Sequence, residues 1–326
     1  MSLLQSLVSL KEFLMPLNPK QFGILGMNSR NIDYILNYNE RQYYPMVDNK
    51  LLTKKMANEA LIAVPELYQT AEFIHDIDNV LKQLPDYKDG FVIKPVAGAG
   101  GGGIIVIKEV RGHLFLTSGG IALTKRDLAY HMSNILAGLY SLGGRPDQVM
   151  IEKRINQHPI FDKISYKGVP DVRVIVFKGY PIMAMLRLPT RESDGKANLH
   201  VGGIGVGVNL KTGMTTFGIL KGQYISKHID THELLGDIAL PDWEKTLHIA
   251  ARIGDILPLG YIGCDFIYDS VTGTNLLEVN ARPGLAVQIA NKEGLKPRLE
   301  KISSYIKSNT HKNYKERTEL AQDFFA

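Results

Sequence analysis

Residues 276–284, Leu-Leu-Glu-Val-Asn-Ala-Arg-Pro-Gly, alternate small or apolar side chains (Leu277, Val279, Ala281) with an acid, an amide and an arginine (Glu278, Asn280, Arg282). Period-2 alternation reads as a strand with one dry face and one polar face. A solvent face usually mixes Lys, Thr and Ser, so this row asks for another explanation. Upstream, Gly-Cys-Asp265-Phe-Ile opens a second alternating run, and Asp-Ser-Val-Thr-Gly-Thr (269–274) supplies a hairpin turn between the two. With that turn centred symmetrically, Asp265 falls opposite Glu278. Two acids facing each other on a sheet repel unless both reach water or a cation sits between them. The apolar flanks of both argue against water. Asp265, Glu278 and the Asn280 amide then form an all-oxygen set suited to Mg²⁺, with Mn²⁺ as a substitute, whose other ligands are waters and substrate phosphates.

A second chemical feature precedes it. Phe-Val-Ile-Lys94-Pro leads into a loop containing Gly98, Gly100, Gly101, Gly102 and Gly103, and Ile-Ile-Val-Ile follows. Bare backbone N–H groups in such a loop can close over phosphate oxygens. The loop has no Gly-Lys-Ser/Thr ending, so it is not a Walker loop, and it joins two strands rather than opening a helix, so it is not a dinucleotide fingerprint. Lys94 stands where an ammonium could reach a nucleotide phosphate.

These features need elements to hold them. Residues 51–64 read as a helix ended by Pro65, 125–144 as a helix stopped by glycines, and 242–257 as a third. Phe-Val-Ile-Lys-Pro, Gly-Ile-Ile-Val-Ile-Lys-Glu-Val, His-Leu-Phe-Leu and Val-Met-Ile-Glu152-Lys153 read as strands, 171–188 and 263–282 as hairpins. Gln-Phe-Gly-Ile-Leu-Gly-Met-Asn is expected to be a short strand. The tail after Pro297 reads as a helix and then a polar end. The sum is an α+β chain dominated by hairpins, not a parallel dinucleotide fold.

Bulk properties narrow the class. The 326 residues allow two domains, and 44% hydrophobic with 22% charged content fits an ordinary globular protein. A net charge of +5 suits anionic small molecules, while the lack of an arginine-rich or aromatic-interleaved basic block argues against nucleic acid as the main ligand. A single cysteine, Cys264, excludes an internal disulfide framework and points to a reducing, cytoplasmic setting; it reads as a buried small hydrophobe beside Asp265. No apolar run approaches the roughly 20 residues that span a bilayer. Met-Ser-Leu-Leu-Gln-Ser-Leu-Val lacks a basic n-region and reads as an amphipathic helix, a candidate contact in a homo-oligomer.

Together the lysine-ended strand, the glycine flap, Met-Ile-Glu-Lys-Arg-Ile, Asp-Val-Arg-Val-Ile-Val, Met-Leu-Arg-Leu-Pro-Thr, Lys-Ala-Asn-Leu-His-Val-Gly-Gly, Gly-Cys-Asp-Phe-Ile and Leu-Leu-Glu-Val-Asn-Ala-Arg-Pro-Gly resemble the ATP-grasp superfamily, in order and spacing over roughly residues 50–290. The branch they resemble is the α-L-glutamate ligase group that modifies ribosomal-protein tails, with bacterial glutathione synthetase as a further relative. The resemblance implies an ATP-grasp fold, two α+β subdomains gripping ATP. It divides the chain into a reduced N-terminal segment (1–50), a helix and flap subdomain (51–148) and a C-terminal subdomain (149–326) with the metal site. It implies that Lys50, Lys94 and Gly100 to Gly103 contact ATP phosphates, that Glu152 and Lys153 meet adenine, and that Asp171 lies near the nucleotide. Arg173, Arg187 and Asn198 are expected beside the transferred phosphate. A symmetric turn at Gly179-Tyr180 would put Arg173 and Arg187 on opposite faces, which conflicts with that placement. Asp265, Glu278 and Asn280 match the metal ligands.

The chemistry implied is ATP-dependent carboxylate–amine ligation. A substrate carboxylate attacks the γ-phosphorus, ADP leaves, and an amine attacks the acyl phosphate. Such a ligase would join an amino acid such as glutamate to a peptide, protein or amine, and needs no serine, cysteine or histidine nucleophile. Arg282 and His200 are the substrate-site candidates; Arg282 stands where the ribosomal-protein ligases carry a small residue. The shortened N-terminal region also resembles ATP-grasp proteins associated with cell-surface sugar modification. A non-catalytic ATP-binding scaffold is a further alternative.

Overall fold

The computed structural model describes residues 22–326 apart from Ala99 and His311. The helix expected over the first residues lies outside this range. The strand expected near Gly23–Asn28 does not form; the chain there is turn and loop with a three-residue helix at Met27–Ser29. The Leu25 backbone is satisfied instead by one buried side chain. Gln288 Oε1 accepts the Leu25 N–H at 2.9 Å, and Gln288 Nε2 donates to the Leu25 carbonyl at 2.9 Å. The amide thus takes the place of a strand partner.

Two antiparallel sheets follow. The strands of the first are β1 (Leu67–Ala71), β2 (Phe91–Pro95), β3 (Ile105–Arg111), β4 (Leu114–Thr117), β5 (Ala122–Leu123) and β6 (Val149–Lys153), in the order β1-β6-β2-β3-β4-β5. Helix α1 (Lys50–Glu59) precedes them, and α2 (Asp76–Gln83) and α3 (Lys125–Leu136) pack on this sheet. Strand alternation decides what faces where: Phe91, Ile93, Val149 and Ile151 enter a core with Ile77, Val80, Leu128, Met132 and Ile135. Val92, Lys94 and Glu152 are left to the opposite face. Strand β6 pairs with β1 and β2, so residues 149–153 lie in the first sheet. Helix α1 buries Ala57 in the core of the second sheet while its Lys50 and Lys54 reach Gly98 and Glu152 of the first.

The second sheet comprises β7 (Asp171–Phe177), β8 (Tyr180–Leu188), β9 (Ile204–Val208), β10 (Thr215–Leu220), β11 (Gln223–Ile225), β12 (Tyr261–Asp269) and β13 (Gly273–Asn280), ordered β11-β10-β9-β8-β7-β12-β13. Helices α4 (Trp243–Ile256), α5 (Leu295–Ser308) and α6 (Tyr314–Phe324) pack on its β7–β8 region. The tail is therefore not merely a polar end. Asn313 and Glu316 form a capping box at the start of α6, and the buried Arg317 donates to the Gly179 and Ala251 carbonyls and pairs with Asp255 at 2.6 Å.

Two bulges set the site. In β7–β8 the register shifts between Ile175 and Val176, so Asp171 pairs with Arg187 and Arg173 with Met185. Arg173 and Arg187 thus share one face, which the symmetric turn forbade. In β12–β13, Phe266 pairs with Leu276 but Asp265 with Glu278, leaving Leu277 as the extra residue.

Candidate active site

The two sheets enclose a cleft of about 1400 Å³. Its lining holds twelve Lys and Arg residues against four acids, a larger positive excess than the +5 of the whole chain. Basic charge is therefore gathered in the cleft, which favours a polyanionic ligand. Val92, Ile105, Ile267 and Leu277 provide apolar lining, and Leu277 lines it although it alternates with Glu278, because the bulge turns it there.

On the second sheet a polar row crosses four strands. Arg173 stands directly opposite Asp265, which stands opposite Glu278. Arg173 Nε donates to Asp265 Oδ1 at 2.7 Å and Nη2 to Oδ2 at 2.5 Å, a bidentate pair. Arg187 Nη2 adds a bond to Asp265 Oδ2 at 2.8 Å, and its Nε donates to Asp171. Asn280 Nδ2 lies 3.2 Å from both Asp265 Oδ2 and Glu278 Oε1. Asp265 is fully buried, whereas the Glu278 side chain is 32% exposed to the cleft. Burial works to raise the Asp265 carboxyl, but the two guanidiniums overcome it and hold it well below the usual carboxylate range. Asp171 moves the other way: burial, reinforced by Asp265 and opposed by Arg187, pushes it up to about 7. Gly263, opposite Asn280, makes room; a Cβ there would lie 2.7 Å from Pro283. Cys264 is fully buried and its thiol is raised by burial, so it offers no nucleophile.

On the first sheet, Lys94 is buried and paired with Glu152, whose other oxygen lies 3.1 Å from Lys54 Nζ. Burial would raise the Glu152 carboxyl, yet Lys94 and Lys54 together hold it below the ordinary glutamate range. Asn49 caps α1 and sets Lys50 at its first turn, where Nζ donates to the Gly98 carbonyl at 2.6 Å. Burial lowers the Lys50 ammonium, with Glu278 opposing and Lys94 adding to the shift.

The glycine loop spans the two bodies. Gly100, Gly101 and Gly103 have φ of +66°, +77° and +73°, a left-handed backbone that side chains disfavour. Its base is held by Asp147, which accepts the Ala97 N–H at 3.0 Å and the Ser141 hydroxyl at 2.6 Å, and by His131 Nε2, 2.8 Å from the Gly103 carbonyl. Its tip meets the second body where Asn198 Nδ2 donates to the Gly100 carbonyl at 3.1 Å.

A profile of the family described as sugar-transfer associated ATP-grasp matches residues 29–304. The chain belongs to that family. Solved structures of similar fold include the ATP-grasp ligase PsnB complexed with minimal precursor (15% identity, 82% of this chain and 63% of that one, TM-score 0.44). D-cycloserine synthetase DcsG aligns at 11% identity over 80% of this chain and 71% of its own, TM-score 0.47. D-alanine–D-alanine ligase from Bacillus anthracis aligns at 13% over 97% and 82%, TM-score 0.45. The chain spans 60 to 63% of the length of the PsnB structures. Curated proteins yield no match.

In this sugar-transfer associated ATP-grasp chain, the cleft gathers Lys50, Lys94, Gly100 to Gly102, Glu152, Lys153, Asp171, Arg173, Arg187, Asn198, His200, Glu278, Asn280 and Arg282. Gly103 closes the loop behind them. Glu152 is paired with Lys94 and Lys54. Between Asp265 and Glu278 stands the Arg173 guanidinium, whose Nη2 is 2.5 Å from Asp265 and 4.0 Å from Glu278. Among the described residues no three His, Cys, Asp or Glu side chains are grouped to hold a metal. A Mg²⁺ ion carried in with phosphates still fits, because Glu278 and Asn280 face the cleft and Mg²⁺ often takes one or two protein oxygens plus phosphates. Among the described residues no helix is long and apolar enough to cross a membrane.

Several site residues escaped the sequence reading. Lys54 follows Lys50 by one helical turn and shares a buried stripe with Thr53 and Ala57, a spacing that could have marked it. Asp147 reads as an ordinary turn residue and Arg30 as a surface cation, and nothing local distinguishes either.

Proposed function

We propose that this protein is an ATP- and Mg²⁺-dependent carboxylate–amine ligase that proceeds through an acyl phosphate and releases ADP and phosphate. The observation that carries it is the cationic cleft in which a glycine loop pinned at Asn198 covers the Arg187–Asp171–Arg173–Asp265–Glu278 row. Carboxylate and triphosphate repel each other, and the reaction needs that repulsion cancelled. Lys94, fixed by Glu152, and Lys50 hold the phosphates. Asp265 and Asp171 orient Arg173 and Arg187 so that the guanidiniums face the charge passing to the transferred phosphoryl group. Glu278 and Asn280 would hold Mg²⁺, which supplies charge neutralisation at the phosphate oxygens when bound. The glycine loop, closed against Asn198, keeps water from an acyl phosphate that would otherwise hydrolyse. Arg282 and His200, at the open end, are assigned to the substrate.

A second reading concerns the substrate alone. The family's description as sugar-transfer associated favours a role in cell-surface sugar modification in place of a protein tail.

Hydroxylamine is a small amine that traps acyl phosphates. The test incubates the protein with ATP, Mg²⁺, hydroxylamine and a panel of amino acids, peptides and uronic acids. The reading expects ADP, not AMP, together with a hydroxamate, and a loss of at least 100-fold in Glu278→Ala (roughly 3 kcal/mol of transition-state stabilisation). AMP as product, or full turnover in Glu278→Ala, would overturn it.

A further inference from the structure

A second cavity lies outside the cleft and shares no residue with its lining. It holds about 290 Å³, close to the lower end of the ~300–1,000 Å³ that small-molecule sites span. Three elements meet around it: the C-terminal end of α1, one face of α4 and the start of α6. On α4, Lys245, His248 and Arg252 recur at helical spacing and all line the cavity. Tyr314, the first residue of α6, completes the wall. Arg252 Nη2 donates to the Ala60 carbonyl at 2.5 Å, and its guanidinium lies 5.6 Å from the Tyr314 ring centroid. The His248 ring meets the same Tyr314 ring edge-on at 5.5 Å. The ten residues of α1 rise about 15 Å, which sets this place apart from Lys50 at the other end of that helix.

Charge and shape describe the ligand. The lining holds a lysine, an arginine and a histidine, and no acid. Lys245 enters no hydrogen bond or ion pair among the described residues. Arg252 uses Nη2 on Ala60, which leaves Nε and Nη1 for a further acceptor. Glu244 lies 3.7 Å from His248, but it is 79% exposed and outside the lining. Cations gathered without an anion of their own are ready for an external one. The positive end of α6 adds to their field. The carbonyl end of α1 does not oppose it strongly, because Arg252 holds Ala60, while the Leu61 N–H donates to the Asn58 carbonyl at 2.9 Å and the Ile62 N–H to the Ala57 carbonyl at 2.8 Å. That turn carries a second signal. Leu61 takes its left-handed position, with φ +56°, where glycine or asparagine is favoured. The Leu61 side chain lines the cavity and is 90% exposed. Neither backbone preference nor packing within the chain accounts for a leucine there, whereas an apolar contact with a ligand does.

We propose that this cavity is a binding site for a small phosphate monoester, distinct from the nucleotide cleft. The phosphoryl group sits on Lys245, His248 and Arg252, and the organic body lies against Leu61, Ala63 and Ile249. A phosphate monoester is close to a dianion at neutral pH and offers three oxygens to three nitrogen-bearing side chains. A carboxylate, with one charge and two oxygens, matches them less well. The volume places the ligand among small metabolites. The site stands independently of the ligase reading.

The test is calorimetric titration of the full chain with phenyl phosphate, benzoate and phenol, in the presence of ADP and Mg²⁺ so that the cleft is already filled. Phenyl phosphate is expected to bind one to one, benzoate about 10- to 100-fold more weakly, and phenol without measurable heat. Lys245→Glu should weaken phenyl phosphate roughly 100-fold by placing a like charge beside it, and leave ADP affinity and the unfolding midpoint unchanged. Leu61→Gly should weaken it about fivefold through lost apolar contact while the unfolding midpoint holds or rises, because glycine relieves the left-handed turn. A leucine with a purely structural role would show the opposite, lower stability with equal binding. No binding of phenyl phosphate, equal binding by Lys245→Glu, or benzoate or phenol binding as tightly would each overturn the site. The comparison of wild type with Lys245→Glu decides it whether or not ADP occupies the cleft.

Discussion

At the scale of single residues, the site is organised by buried charge pairs rather than by lone reactive groups. Glu152 shows the consequence. Its carboxyl lies below the ordinary 4.5 in the folded protein because Lys94 and Lys54 outweigh the effect of burial. A carboxyl depressed on folding contributes stability that is complete above its unfolded value and is lost as pH falls through the folded value. Thermal unfolding should therefore show the wild type losing stability below about pH 4.5, and Glu152→Gln should lack this component. At pH 7 the same variant should cost roughly 3–5 kcal/mol, because it leaves two buried lysines without their counter-ion. An equal acid slope in both proteins would refute this account of Glu152. Asp265 belongs to the same pattern. Its alternation with apolar residues was plain in the sequence, and so was its place opposite Glu278. What the sequence could not convey was that Arg173, on the neighbouring strand and directly opposite Asp265, would arrive as the intervening cation.

At the scale of elements, two bulges and one loop decide what the strands present. The hairpins, the glycine loop between β2 and β3 and the helices α3 and α4 were legible because period-2 and period-3.6 patterns are local. The face shared by Arg173 and Arg187 was not, because a bulge at Ile175–Val176 moves every residue beyond it to the other side and leaves no mark in composition. The short β1 was missed because it owes its form to packing rather than to pattern, whereas α2, with Ile77, Val80 and Leu81 at helical spacing, and α6, with the Asn313–Glu316 capping box, carried local signals that went unread. The loop yields a sharper prediction. At Gly103, φ is +73° and a Cβ would lie 2.6 Å from the Tyr140 ring. Gly103→Ala should displace the loop and reduce ATP affinity at least tenfold by calorimetry, with unfolding midpoint lowered by only a few degrees; unchanged affinity would show that the loop does not cover the phosphates. Asn39→Ala acts on another element. It orphans the buried Tyr261 N–H and two carbonyls, so a loss of about 2–3 kcal/mol in chemical denaturation is expected.

At the scale of the whole molecule, two antiparallel bodies bring their polar faces together around a basic cleft, joined by the glycine loop at Asn198 and by Lys50 and Lys54 of α1, which reach Gly98 and Glu152. A ligand held by both bodies should stabilise the whole chain: ADP and Mg²⁺ at 100 times the dissociation constant correspond to about 2.7 kcal/mol. Because the lining carries twelve basic residues against four acids, nucleotide affinity should also fall steeply as salt is raised. The central claim is that this cleft positions a triphosphate over the Glu278–Asn280 end of the arginine–carboxylate row. A crystal structure with Mg²⁺ and a non-hydrolysable ATP analogue tests it most directly. The account predicts the base against Val92 and Leu277, the phosphates within hydrogen-bond reach of Lys94 and under Gly100–Gly103, and Mg²⁺ on Glu278 and Asn280. A nucleotide bound elsewhere, or phosphates in the cleft that leave Glu278 and Lys94 untouched, would contradict it.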